Sequence, residues 1–164
     1  MNKVENTKYF EVAQMVFLLG TTKKNPIVEK HKFMTMLFFL NNPLFLEKLC
    51  LLYRPNDAKL LQIKDEEKYN LLYEEERISL WHGKNDLLLS YLLSRELASV
   101  EVNDKGYSFT LTPKNGLEAF NSLKKDKDLK TEYTRAKILN KILGLKEFSE
   151  IKQIIIDKFE ELSL

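Results

Sequence analysis

Any reaction centre in this chain would have to be built from few side chains. It has two histidines, His31 and His82, one cysteine, Cys50, and a run of glutamates from Glu74 to Glu76. The histidines stand far apart, and neither belongs to an H-E-x-x-H or Cys/His pair, so no metal site is expected. Contiguous glutamates fan outward on a helix, which suits a solvated surface and not a general acid and base facing one substrate. Cys50 lies among Leu46, Leu49 and Tyr53, the setting of a buried, reduced thiol. There is no G-x-S-x-G elbow, Walker loop or G-x-G-x-x-G loop, so no enzymatic activity and no cofactor are expected. Binding chemistry remains. Reading DNA bases takes Arg, Lys, Asn or Gln on an outward helix face, because those side chains match base-edge donors and acceptors. The best-placed segment offers only Asn85, Ser90, Ser94, Arg95 and Glu96. Contacts to a phosphate backbone, which are independent of sequence and sensitive to salt, are open to Lys84, Arg95, Lys105 and Lys114.

The elements that must carry these residues are clearest between Lys84 and Leu123. Leu87, Leu88, Tyr91, Leu92 and Leu97 fall on one side of a helix over about 85 to 97, which Asn85 or Asp86 can cap. From Ala98 the period becomes two: Ala98, Val100 and Val102 alternate with Ser99 and Glu101, then Tyr107, Phe109 and Leu111 with Ser108 and Thr110. Between the two strands, Asn103-Asp104-Lys105-Gly106 supplies a side-chain turn and a glycine free to take positive φ. Thr112-Pro113 starts a further helix with Leu117, Phe120 and Leu123 on its apolar side. This order resembles the winged-helix families, in which a strand carrying LT-x-K-x-G leads into a helix; the matching residues are Phe109, Leu111, Thr112, Lys114 and Gly116. The alternative is a plain hairpin between two helices of another α+β fold.

Upstream, Tyr9 to Leu19 makes a helical stripe ending at Gly20. Pro26 opens a second helix through Leu40, and Pro43 a third through Tyr53, ended by the turn Arg54-Pro55-Asn56-Asp57. Residues 58 to 82 read as a helical insertion: Leu60, Leu61 and Ile63 suit a short strand or a helix end, and acids lead the stretch from Tyr69 to Trp81. Downstream, Leu129 to Leu143 forms a helix ended by Gly144, and Ser149 caps a last one carrying Ile151, Ile154, Ile155 and Phe159. The expected fold is α+β, mostly α: a winged-helix domain over 1–125 with an N-terminal helix and an inserted helix, and a C-terminal helical extension over 126–164 packed on or beside it.

At 164 residues, 44% hydrophobic and 30% charged, the chain has the composition of a globular domain. The net charge of +2 indicates no particular partner, but it is unevenly spread. Acids prevail from Asp65 to Arg77 and bases from Lys124 to Glu147, a pattern of solvated helix faces that can also steer a charged partner. No apolar run reaches the roughly 20 residues of a membrane span, and the first residues lack a cleavage site, so a cytoplasmic protein with no membrane contact is expected.

Two longer stretches, FEVAQMVFLLG with KFMTMLFFLNNPLFLEKL and TEYTRAKILNKILG with FSEIKQIIIDKF, frame LLLSYLLSRELASVEV and YSFTLTPKNG. Together they resemble the middle components of bacterial three-component ABC ATPase systems, including the Lamassu type of anti-phage defence. The resemblance implies a non-enzymatic accessory subunit that bridges a large SMC-like or Rad50-like ATPase and a nuclease-type effector. It transfers no site residue. The alternative function is a winged-helix, DNA-binding transcriptional regulator. On the last helix, Ile156 lies about 100° from Ile155 and roughly 200° from Ile154, too wide for one narrow buried stripe, which makes Ile156 the candidate partner surface.

Overall fold

The computed structural model describes residues 3–22, 26–69 and 86–162. These form an α+β structure, mostly helical, around one small antiparallel sheet. Helix α1 (Lys3–Gly20) carries consecutive buried residues from Ala13 to Leu19. A helix apolar on every side is stable only with neighbours all round, and α1 lies between the hairpin and helices of the second half of the chain. Helix α2 (Lys30–Asn41) is likewise buried without a break from Lys32 to Leu40. Pro43 at the start of α3 (Pro43–Tyr53) cannot continue α2, and the two axes meet at 105°. No single helix among the described residues is long and apolar enough to cross a membrane.

One departure from the sequence expectations stands in this first part. Pro26 does not open a helix: Ile27–Val28 form strand β1, and α2 begins at Lys30. The reason is tertiary, because Ile27 and Val28 pair with Phe109 and Ser108 of the hairpin while Glu29 N–H donates to Tyr107 C=O. The turn after Tyr53 runs on through Leu60 and Leu61 as one 3-10 helix, Pro55–Leu61, the helical of the two forms open to those residues. Helix α4 (Asp65–Tyr69) then starts with Asp65, Glu66 and Glu67 in its first turn, where the helix dipole favours acids. The rest of the expected inserted helix, with Glu74 to Glu76, Trp81 and His82, lies outside the described residues.

Helix α5 (86–94) buries Leu88, Leu89 and Leu92. It stops three residues sooner than its apolar pattern indicated, because Glu96 takes a left-handed φ of 54°. Glu96 N–H then donates to Leu93 C=O and Leu97 N–H to Leu92 C=O, the paired bonds that close a helix end and are usually formed by glycine. Strands β2 (Ala98–Asn103) and β3 (Gly106–Leu111) form the hairpin that the alternation indicated, in a register running from Ala98–Leu111 to Asn103–Gly106. Gly106 has φ 109°, and Lys105 N–H donates to Asn103 Oδ1 across the turn. The sheet order is β1-β3-β2.

Helix α6 (Asn115–Lys125) begins one turn after Thr112, whose Oγ1 accepts from Gly116 N–H. Gly116 is required by contact, since a Cβ there would run into the Leu97 carbonyl. After a short 3-10 turn, α7 (Lys130–Leu143) crosses the middle of the molecule against α1, α2 and α3. Helix α8 (Phe148–Lys158) is capped not by Ser149 but by Glu147. Its carboxylate and that of Glu150 satisfy each other's backbone N–H groups, a two-residue arrangement that outcompetes one hydroxyl. The core joins all parts through aromatic rings: Phe33 stacks on Phe109, Phe17 meets Phe120 and Tyr133 edge-on, and Phe159 meets Phe39 and Phe45.

Candidate interaction surface around α5 and the hairpin

Burial of Leu88, Leu89 and Leu92 turns Ser90, Ser94, Arg95 and Glu96 to solvent. Arg95 lies over the Tyr91 ring at 5.4 Å, and Lys8 of α1 covers the same ring at 4.1 Å. The negative quadrupole of this one ring attracts both cations, so Tyr91 ties Lys8 of α1 to Arg95 at the end of α5. Lys8 was not identifiable from its own stretch of sequence, since its partner is Tyr91, far along the chain. Ser94 Oγ donates to the Tyr91 carbonyl, and the Glu96 carboxylate accepts from Asn115, so each exposed side chain already has a partner within the chain.

The other expected phosphate contacts do not gather with Arg95. Lys105 is exposed at the hairpin tip, with Nζ 3.6 Å from a Glu147 carboxylate at the start of α8. Lys114 is exposed at the opposite end of β3, just before α6. The six residues of β3 separate the two lysines by about 20 Å. Lys84 lies outside the described residues.

Beneath the hairpin tip is a cleft of about 670 Å³ between Glu29, Lys32, Asp104 and Lys105 on one side and Gly144 to Lys152 on the other. Lys32 is buried at its floor and donates to the Gly144 carbonyl at 2.8 Å. Burial lowers the Lys32 pKa against the opposing charges of Glu150, Glu147 and Glu29. This ammonium holds the last carbonyl of α7, where the helix dipole favours a cation.

The densest polar chemistry lies on the other side of α7. Arg135 is buried and makes two parallel bonds of 3.0 Å to the Glu67 carboxylate, with further bonds to the Leu61 and Gln62 carbonyls. Glu132 is 3.7 Å from the same guanidinium and accepts from Gln14 Nε2 at 2.9 Å. Gln14 Oε1 is buried and has no partner among the described residues. Burial raises the Glu132 pKa, with the Gln14 bond and the Arg135 charge pulling against it. At Glu67, burial also pushes upward, but the Arg135 and Lys64 bonds together with their charges prevail, and its pKa is lowered. A shallow cleft of about 230 Å³ borders the group, lined by Gln14, Asn41, Asn42, Glu67, Glu132 and Arg135. With four of its five N–H groups bonded, Arg135 acts as a clamp between α7 and the segment leading into α4. Sequence reasoning counted both Glu67 and Arg135 among solvated charges; only the fold brings them together.

Cys50 is buried and its thiol pKa is raised by that burial, as expected of an unreactive thiol. His31 stacks on Phe148 at 5.6 Å. No three His, Cys, Asp or Glu side chains among the described residues are arranged to hold a metal ion. On α8, Ile151 is buried, Ile154 and Ile155 are half-buried, and Ile156 is 48% exposed.

These features define a mostly helical α+β protein with a helix–hairpin–helix unit and a buried ionic clamp. Comparison with protein-family models, with curated proteins and with solved structures finds no match for the chain.

Proposed function

We propose that this chain is a non-enzymatic winged-helix accessory subunit that bridges an SMC-like or Rad50-like ATPase and a nuclease-type effector in an anti-phage defence complex. The observation that carries the reading is the continuous unit α5–β2–β3–α6, with Thr112 and Gly116 closing the joint on which the likeness to winged-helix proteins rests. The partners follow from the resemblance of the flanking helices to middle components of three-component ATPase systems. An adaptor needs a protein-facing surface more than a base-reading one. The outward face of α5 is poor in base-matching groups, while Ile156 is an exposed apolar side chain on a helix otherwise docked on the core.

Ile156→Asp is expected to leave the melting temperature of the isolated protein unchanged and to abolish its co-purification with the ATPase. Unfolding of the variant would place Ile156 in the core, and intact assembly would place the interface elsewhere. A wild-type protein that brings down no large ATPase from its native cells would sink the adaptor reading.

A second reading, a DNA-binding regulator, is favoured by the Lys8–Tyr91–Arg95 group. Selection of binding sites from random duplex DNA separates the two. The adaptor is expected to bind duplex weakly, with affinity falling steeply in salt and with no consensus. One strong consensus sequence would establish the regulator.

A further inference from the structure

Strand β2 is the outer strand of the sheet, and among the described residues no strand pairs with its outer edge. The Leu97 carbonyl accepts from Thr112 N–H, which sets the odd-numbered residues of β2 facing β3. The N–H and C=O groups of Ala98, Val100 and Val102 therefore point outward, and no described backbone bond uses them. Natural edges are commonly blunted by lysine, proline or a bulge. The segment ASVEVN has no lysine or proline, and its pairing with β3 runs without a break. One face of this ribbon is also apolar beyond the core: Val100 is 39%, Tyr107 51% and Val102 75% exposed.

We propose that β2 pairs antiparallel with β2 of a second copy of this chain, extending the sheet across a two-fold axis. The inference is independent of the proposed function. Because only even-numbered residues offer outward hydrogen bonds, two copies can meet only in registers that pair even with even. Centring the axis on Glu101 sets two carboxylates directly opposite, which is unfavourable. Centring it on Val100 sets Val100 opposite Val100, Ala98 opposite Val102, and Ser99 opposite Glu101. Ser99 and Thr110 share one hydrogen bond within the chain, so when Thr110 donates, the Ser99 hydroxyl is free to donate to the facing carboxylate. The same register brings the hairpin tip of one copy, Asp104-Lys105, beside Arg95-Glu96 at the strand root of the other, so each end of the interface holds both signs of charge. The apolar faces of the two ribbons run together into one strip. This self-complementarity in spacing and charge selects a second copy as the occupant, not a foreign strand.

The test is analytical ultracentrifugation of the full chain over a range of concentrations, combined with two cysteine variants. A concentration-dependent dimer is expected. Val102→Lys, at an exposed position, is expected to keep the circular dichroism melt of the wild type while weakening the dimer by about tenfold, since it occurs twice per interface. In the Val100-centred register, Val100→Cys places two sulfurs on facing residues about 5.5 Å apart at Cα, within disulfide reach. Val102→Cys places them about 14 Å apart or more. Rapid oxidative cross-linking is therefore expected at 100 and not at 102, although 102 is the more exposed; Cys50 is buried and does not compete. A monomer at every concentration would overturn the proposal, as would a dimer indifferent to Val102→Lys or faster cross-linking at 102.

Discussion

In the hairpin, paired residues lie between three positions apart, at Asn103–Gly106, and thirteen, at Ala98–Leu111. Helix α7 is held instead by side-chain bonds that reach 68 positions back, from Arg135 to Glu67, and 122 back, from Asn140 to Leu18. The hairpin exposes much of its surface, while Arg135, Ala136, Ile138, Leu139, Leu143 and Asn140 of α7 are all buried. One region is fixed by local turn chemistry, the other by what the rest of the chain brings to it. Damage to the second should therefore cost far more than damage to the first.

The largest effect is expected at Arg135. Arg135→Ala strands the Glu67 and Glu132 carboxylates and the Leu61 and Gln62 carbonyls, at a cost of about 3–5 kcal/mol in urea unfolding. A loss below about 1 kcal/mol would break the comparison, because α7 would then be no more dependent on its distant partners than a surface helix. In the hairpin, Gly106→Val forces a β-branched side chain to φ 109° and is expected to cost about 1–3 kcal/mol. An unchanged melting temperature would remove the turn from the elements that need a specific residue.

The third effect is smaller and depends on pH. Glu132 has a raised pKa in the folded state, so its contribution to stability is complete below the unfolded value of about 4.3 and is lost as pH rises through the folded value. Glu67, with a lowered pKa, has the opposite sign: its contribution is present above the unfolded value and lost as pH falls through the folded one. Glu132→Gln removes only the first of these and offers an N–H to the unpartnered Gln14 Oε1. The variant is expected to be more stable than wild type at pH 7 by on the order of 1 kcal/mol, with the gain gone by pH 4. A gain that is constant across pH would show that Glu132 is not the titrating group.

What could be read from the sequence follows the same division. The hairpin and its turn were legible because each depends on neighbours: the alternation in Ala98 to Leu111, the Asn103 side chain and Gly106. Helices α1, α3 and α7 were legible from their apolar spacing. Strand β1 was not, because two apolar residues after a proline fit a helix as well as a strand until β3 is beside them. The end of α5 was missed because a glutamate, not a glycine, takes the left-handed position, held there by bonds from Leu97 and from Thr112, which donates to the Glu96 carbonyl. The clamp was missed because a charge count treats Arg135 and Glu67 as two surface groups of opposite runs. The Lys8–Tyr91–Arg95 group was missed for the same reason, since cations are matched to rings by the fold.

The packing of α1 against α7 also sets a schedule for synthesis. Gln14 and Glu132 are 118 positions apart, and a ribosome adding about 5–20 residues per second spans that interval in roughly 6–24 s. Throughout that time the apolar residues of α1 from Ala13 to Leu19 exist without α7, one of the helices that cover them. The closing of α7 on α1 is therefore a late event in synthesis, separated from the making of Ala13 to Leu19 by more than a hundred residues of chain.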